Sequence, residues 1–196
     1  MDIQTSLYEG KLIRLGPIDH EKDPEVESRW THNLAYLRLL GASPARPVSP
    51  AQMKKKYEAI EKEVEESKNI FYFTIRCREE GRLLGFARID WIEWSNGTGN
   101  LTMGVGDPQD RGKGYGSDAL SLLLRLAFAE LNLYRLSVVL GEDNPVALQF
   151  FKRFGFMEEV RRRKALHRDG RTWDLLHLGL LADEWRAQIR NDGNES

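Results

Sequence analysis

The chain has 196 residues, 41% of them hydrophobic and 30% charged, with a formal net charge of −1. That length supports one domain with a sizeable core, and the composition is ordinary for a globular protein. The near-neutral balance excludes the strong field that gathers nucleic acid or anionic membrane, and the single cysteine, Cys77, excludes an internal disulfide and a cysteine-based metal cluster. The first ten residues carry neither a basic start nor an apolar run, and no apolar run reaches membrane-spanning length, so a cytoplasmic protein without signal or membrane segment is expected.

Residues 11–15 read as a first strand, ended by Gly16-Pro17. From Asp23 to about Leu40, Val26, Trp30, Leu34 and Leu37 fall near one face and predict a helix. Three prolines between 41 and 50 predict a loop, after which Ser49, Pro50 and Gln52 supply a capping box and a first-position proline for a helix to about Ser67. Lys54, Lys55 and Lys56 read as its solvated surface, as does the i,i+4 pair Glu58 and Lys62. Residues 69–78 and 83–91 predict strands about the turn at Gly81, and Asn96-Gly97 turns the chain into a strand at 100–105. A long apolar helix is expected over 117–131, then a strand at 134–140. Strand, crossover helix and strand make a parallel pair. Asn144 and Pro145 open a short helix that stops at Gly155, strands follow at 156–164 and 172–180, and a last helix covers 182–190 before a polar, frayed tail. The pattern is mixed α/β with α+β character: about seven mostly antiparallel strands, a central parallel pair and flanking helices, in a single domain over 1–196.

The centre of the chain is the loop after the strand at 100–105. Gly112, Gly114 and Gly116 alternate with Lys113 and Tyr115 behind Arg111. Glycine costs backbone entropy, so three in five residues call for a close approach to the main chain. Bare amides ahead of a helix, with two cations beside them, predict a pocket for phosphate or diphosphate. A P-loop is excluded, because the glycine spacing is wrong and no hydroxyl follows Lys113. Residues 114–119 do fit the dinucleotide string Gly-x-Gly-x-x-Ala. They follow an antiparallel meander, however, and no carboxylate stands near Tyr134 where one is required.

The third class is coenzyme A. Arg111-Gly112-Lys113-Gly114-Tyr115-Gly116, followed by Asn144-Pro145, Ala147, Phe151, Arg153 and Phe154-Gly155-Phe156, resembles the GCN5-related N-acetyltransferase (GNAT) superfamily, and within it the branch of ribosomal-protein N-acetyltransferases. The resemblance runs from Lys11 to about Trp185. It implies a GNAT fold and transfer of an acetyl group from acetyl-CoA to a primary amine, without a metal. The cofactor's diphosphate would sit on the amides of Arg111, Gly112, Lys113, Gly114, Tyr115 and Gly116. Its pantetheine arm would pair with the strand end at Met103, Gly104 and Val105. Asn144 would reach the arm, and Phe151 would lie near the thioester sulfur. The acceptor would be a protein amino terminus, a polyamine, an amino acid or a drug amine, and a homodimer is compatible with the resemblance. Trp30, Tyr36, Trp91 and Trp94 fall where relatives build the acceptor pocket.

Two chemical roles are unfilled. Many relatives place a carboxylate at the position of Asn100, which cannot take the amine's proton, and a tyrosine at that of Phe151, which cannot protonate the thiolate. Asp90 and Glu93 are the candidates for a base acting through water; ordinary surface exposure is the plainer account of both. The competing classes are a non-catalytic acyl-CoA-binding module and a nicotinamide-dependent oxidoreductase.

Overall fold

The computed structural model describes residues 6–39 and 46–194. Among the described residues seven strands form one sheet: β1 (Ile13–Gly16), β2 (Phe71–Cys77), β3 (Leu83–Glu93), β4 (Thr98–Val105), β5 (Arg135–Gly141), β6 (Met157–Arg168) and β7 (Arg171–Leu181), in the spatial order β1-β2-β3-β4-β5-β7-β6. All neighbours are antiparallel except β4 and β5, which are joined by a crossover helix and run parallel. The helices are α1 (Asp23–Trp30), α2 (Leu34–Leu39), α3 (Pro50–Ser67), α4 (Tyr115–Arg125), α5 (Pro145–Arg153) and α6 (Ala182–Asn194).

Alternation along the strands sends side chains to two faces. In β2, Ile75 and Cys77 join the main core, where α4 lays Ala119, Leu120, Leu123 and Leu124 against Leu84, Ile89 and Leu136, all at most 2% exposed apart from Cys77. Tyr72 points the other way, to a smaller cluster built by Met53, Tyr57 and Ile60 of α3. Each fully buried aliphatic side chain contributes roughly 1.5–3 kcal/mol, so α4 is the main anchor of the fold.

The first turn of α4 also holds the start of β1. Asp118 accepts the backbone N–H groups of Lys11 (3.1 Å), Leu12 (2.6 Å) and Ile13 (3.0 Å). Gly10 makes this clasp possible, because a Cβ there would overlap the Asp118 carboxylate.

The local signals at α3 and α5 act as the sequence indicates. Ser49 and Gln52 form the reciprocal box, and the Asn144 side chain accepts from the Ala147 amide at 3.1 Å. Several elements differ from expectation, among them β6, which runs to Arg168 instead of ending at 164. The helix expected over 23–40 is broken at 31–33, because Thr31 Oγ1 donates to the Ser28 carbonyl (2.7 Å) and accepts from the Val48 amide (2.9 Å), while Asn33 accepts from the Tyr36 amide. Side-chain bonds of this kind compete with the helical ladder. The loop prolines' neighbours at 40–45 lie outside the described residues. α4 ends at Arg125 and widens into a π-turn over Leu126–Glu130, with the Leu131 amide bonded to the Leu126 carbonyl. β3 continues past Trp91 through a bulge to Glu93. The carboxy-terminal helix runs on to Asn194 instead of fraying at 191.

Candidate active site

The glycine loop is rooted in the sheet. Asp107 caps a short 3₁₀ turn at Pro108–Asp110, which turns the Asp110 carboxylate inward. Asp110 is 5% exposed and takes a two-pronged bond from Arg82 (2.5 and 2.8 Å) of the β2–β3 hairpin, with Lys113 Nζ at 3.3 Å. The Arg82 guanidinium holds the Asp110 carboxyl below the usual carboxylate range, and Lys113 adds to the effect. Arg111 folds back onto the carbonyls of Val105 (3.3 Å) and Gly106 (3.2 Å). Both cations expected to face an anion are thus engaged by the protein itself.

What the loop presents is main chain. Gly112 and Gly114 have φ of +77° and +89°, so their dihedrals require glycine. Gly116 has no such requirement, and a Cβ there would meet only Phe150 at 3.7 Å, an ordinary contact. Neither backbone nor packing explains the third glycine. The Arg111 amide is spent on the Pro108 carbonyl at 3.2 Å, but the N–H groups of residues 112–117 have no partner among the described residues. The row of free donors therefore sits one residue further along than the motif alone suggests, at the uncapped N-terminus of α4.

Beside this loop the sheet opens. β4 and β5 pair only at Thr98, Gly99 and Asn100 with Arg135, Leu136 and Ser137. Beyond that point β4 stays on β3 as far as Val105, while β5 stays on β7 as far as Gly141. The edges of 101–105 and 138–141 that face each other carry free polar main chain, which an extended ligand can pair with. Asn144 stands at the far lip. Its carbonyl oxygen is committed to capping α5, so only its amide nitrogen remains to reach outward. Phe151 lies 8% exposed in the core, edge-to-face on Phe150 and Phe156.

On the opposite face of the sheet, α1, α2 and α3 roof a cavity of about 450 Å3. Its lining includes Glu27, Tyr36, Lys56, Tyr72, Phe86, Arg88 and Thr102, and Thr102 belongs to the splayed part of β4. Glu27 is 3% exposed, bonded to Lys56 Nζ (2.9 Å) and to the Tyr57 hydroxyl. Burial, followed by the nearby Glu27 charge, pushes the phenols of Tyr36, Tyr57 and Tyr72 far above the ordinary tyrosine value. The Tyr36 and Tyr72 hydroxyls are buried without a hydrogen-bond partner. Trp30 packs edge-on against Tyr36 with ring centres 6.0 Å apart and lies on Gly106, where a Cβ would overlap the indole. The cavity thus abuts the end of β4.

Of the aromatic residues expected at an acceptor pocket, Tyr36 lines the cavity and Trp30 packs against it from the side of Gly106. Trp91 does not: it is 77% exposed at the β3 bulge with φ +50°, and Trp94 donates to Asn69 in the neighbouring turn. Asp90 is buried and engaged by the Arg88 guanidinium. Glu93 is exposed and accepts from Asn96. It pairs with Thr98, seven residues and roughly 23 Å along β4 from Val105. Glu27, Tyr57, Tyr72 and Arg88 were not singled out from the sequence. Lys56 was read there as surface, yet it turns its ammonium to Glu27.

A family model described as an acetyltransferase (GNAT) domain matches residues 13–157. An N-acetyltransferase 9-like protein of Caenorhabditis briggsae is 28% identical over 142 residues, covering 67% of this chain and 68% of that protein. A spermidine N(1)-acetyltransferase of Escherichia coli is 23% identical over 86 residues, covering 44% and 46%. In structure, a Vibrio cholerae spermidine N-acetyltransferase solved with CoA and spermine superposes with a TM-score of 0.73 at 17% identity, covering 89% of this chain and 98% of that one.

Proposed function

The chain belongs to the acetyltransferase (GNAT) family and is an acetyl-CoA-dependent N-acetyltransferase, and from that premise we propose how its own residues serve the reaction. The amides of Gly112, Lys113, Gly114, Tyr115, Gly116 and Ser117 take the diphosphate of the cofactor. Met103, Gly104 and Val105 on the open edge of β4 take the pantetheine arm, with the Asn144 amide beside it and the Phe151 ring as a wall. One observation carries this reading: Gly116 has no reason within the chain to be glycine, and it stands in a row of unpaired donors next to a strand edge held open.

When bound, acetyl-CoA supplies the activated acetyl thioester. The acceptor comes from the other face, through the cavity under α1, α2 and α3, past Trp30 and Tyr36. We read it as a small primary amine, a polyamine or a peptide amino terminus among them. Among the described residues the one carboxylate lining the cavity, Glu27, is engaged, and Asp90 beside Arg88 is engaged as well. The enzyme therefore works chiefly by holding a neutral amine in line with the thioester while a main-chain N–H near Gly104 steadies the developing oxyanion; as the new N–C bond forms the C–S bond breaks, and the proton shed by the nitrogen passes through water to the departing CoA thiolate. The same reading treats the chain as a single domain acting in the cytoplasm, in keeping with one buried thiol and a net charge of −1. No helix among the described residues is long and apolar enough to cross a membrane.

The test is an acceptor screen that follows free CoA thiol, run on the wild type and on Gly116→Ala. Release that depends on the amine and falls in the variant supports the assignment. An acyl-CoA-binding module without catalysis would raise its melting temperature with CoA and release thiol with no amine in the panel.

A further inference from the structure

The acceptor cavity contains a device that its role in acetyl transfer does not require. Glu27 is the only carboxylate lining it among the described residues, and α1 holds that group 97% out of solvent, at 3% exposure. Around it stand Tyr36, Tyr57 and Tyr72, with Tyr72 stacked flat on Phe86 (3° between planes, 5.9 Å). A buried carboxylate walled by aromatic rings is the environment that organic ammonium ions seek. Two of the lining residues carry buried hydroxyls without a hydrogen-bond partner: Tyr36, 2% exposed, and Tyr72.

Lys56 fills that environment now. Its ammonium reaches Glu27 at 2.9 Å, yet its side chain is 50% exposed and comes from the outer part of α3. Tyr57 bonds Glu27 independently, so the carboxylate keeps a partner if the lysine swings away. A flexible lysine stem loses rotamer entropy when pinned, and water is open to it, so its hold is easily exchanged. The other cations of the lining do not compete for Glu27: Arg88 is bound to Asp90, and Arg46 stands exposed at the rim.

We propose that Glu27 and its tyrosine walls form a seat for a second cationic group of the acceptor, distinct from the reacting nitrogen, and that Lys56 is a tethered internal occupant which the acceptor displaces. An ammonium held by a carboxylate stays protonated and cannot attack a thioester, so the seat positions the acceptor by its non-reacting end. The inference rests on the acetyltransferase reading above, and it makes Lys56 a brake on acceptor binding.

The experiment measures binding of 1,4-diaminobutane to the CoA-saturated protein by calorimetry, in the wild type, Lys56→Met and Glu27→Gln. CoA-induced stabilisation of each variant is measured alongside, so loss of the cofactor site is distinguished from loss of the seat. Lys56→Met is expected to tighten diamine binding by about tenfold and Glu27→Gln to weaken it by at least about tenfold, with the CoA response unchanged. Lys56→Met keeps the Glu27–Tyr57 bond and tests the inference even if Glu27→Gln fails to fold. Unchanged or weaker diamine binding in a Lys56→Met protein that still responds to CoA overturns it; tighter binding of succinate to the wild type than of diamine would show instead that the cavity cations serve an anion.

Discussion

The two halves of the proposed site are built from different materials. The donor half is main chain: a row of amides at 112–117, an unpaired strand edge and a helix end, all within one stretch of sequence plus its parallel neighbour. The acceptor half is side chain: Glu27, Tyr36, Lys56, Tyr72 and Arg88, brought together from three helices and two strands. Main chain recognises what every member of a family shares, because it depends on dihedrals and not on residue identity. Side chains in a roof of short helices can be exchanged one at a time, so on the proposed reading that half carries the choice of acceptor.

The sharpest break of this contrast is Gly114→Glu. It puts a side chain and a negative charge into the amide row at φ +89°, with Leu12 only 3.1 Å from the new Cβ. CoA affinity should fall by more than about 100-fold, and left-handed strain should lower the melting temperature by several degrees without unfolding the protein. Retained CoA affinity in calorimetry would contradict the assignment of the loop. Trp30→Ala tests the other half. It uncovers Gly106 and Tyr36, and kcat/KM for any accepted amine should drop about tenfold while CoA affinity moves less than about twofold. Gly116→Ala isolates the donor half from stability: helix propensity predicts an unchanged or slightly higher melting temperature, against about tenfold weaker CoA binding.

A smaller effect concerns the root of the loop. Asp110 titrates below the ordinary carboxylate value when folded, chiefly through the Arg82 bond. Its contribution is therefore complete above the unfolded value of about 4 and is lost as pH falls through the lower folded value. Asp110→Asn should melt several degrees below the wild type at pH 7, and the gap should close as the pH is taken below about 4. The smallest effects are expected far from both halves. Glu93→Gln and Trp91→Ser should leave kcat/KM within about twofold, because both residues lie in solvent near the β3–β4 turn. A larger fall in Glu93→Gln would restore it as a base acting through water.

The same contrast explains what could be read in advance. Signals that act over a few residues were legible: the Ser49–Gln52 box, the Asn144-Pro145 start, the turn at Gly97, the glycine loop and the crossover that makes β4 and β5 parallel. The cavity was not, since nothing local says that Glu27 meets Tyr57 thirty residues on. Lys56 is exposed like Lys54 and Lys55 but stands beside the buried Tyr57, and only the packing of α3 on α1 brings it to Glu27. Trp91 misleads for a related reason. Strand period alone does not reveal a bulge, and the bulge after Asp90 sends the indole outward. Arg111 and Lys113 were rightly placed in the loop, but the carbonyls and the carboxylate that claim them depend on β4 and the β2–β3 hairpin.

The clasp of Asp118 on the amides of residues 11–13 has a kinetic side. It joins positions 107 apart in sequence, and closing a ring of that size costs about 4 kcal/mol of chain entropy beyond a constant. During synthesis the first strand leaves the ribosome more than a hundred residues before its anchor exists, so it must wait, tied only through β2, until the crossover helix emerges. Fusing a bulky partner directly ahead of Gly10 would load that late step, and the burden would appear as slower maturation of the newborn chain with the finished enzyme's turnover unaltered.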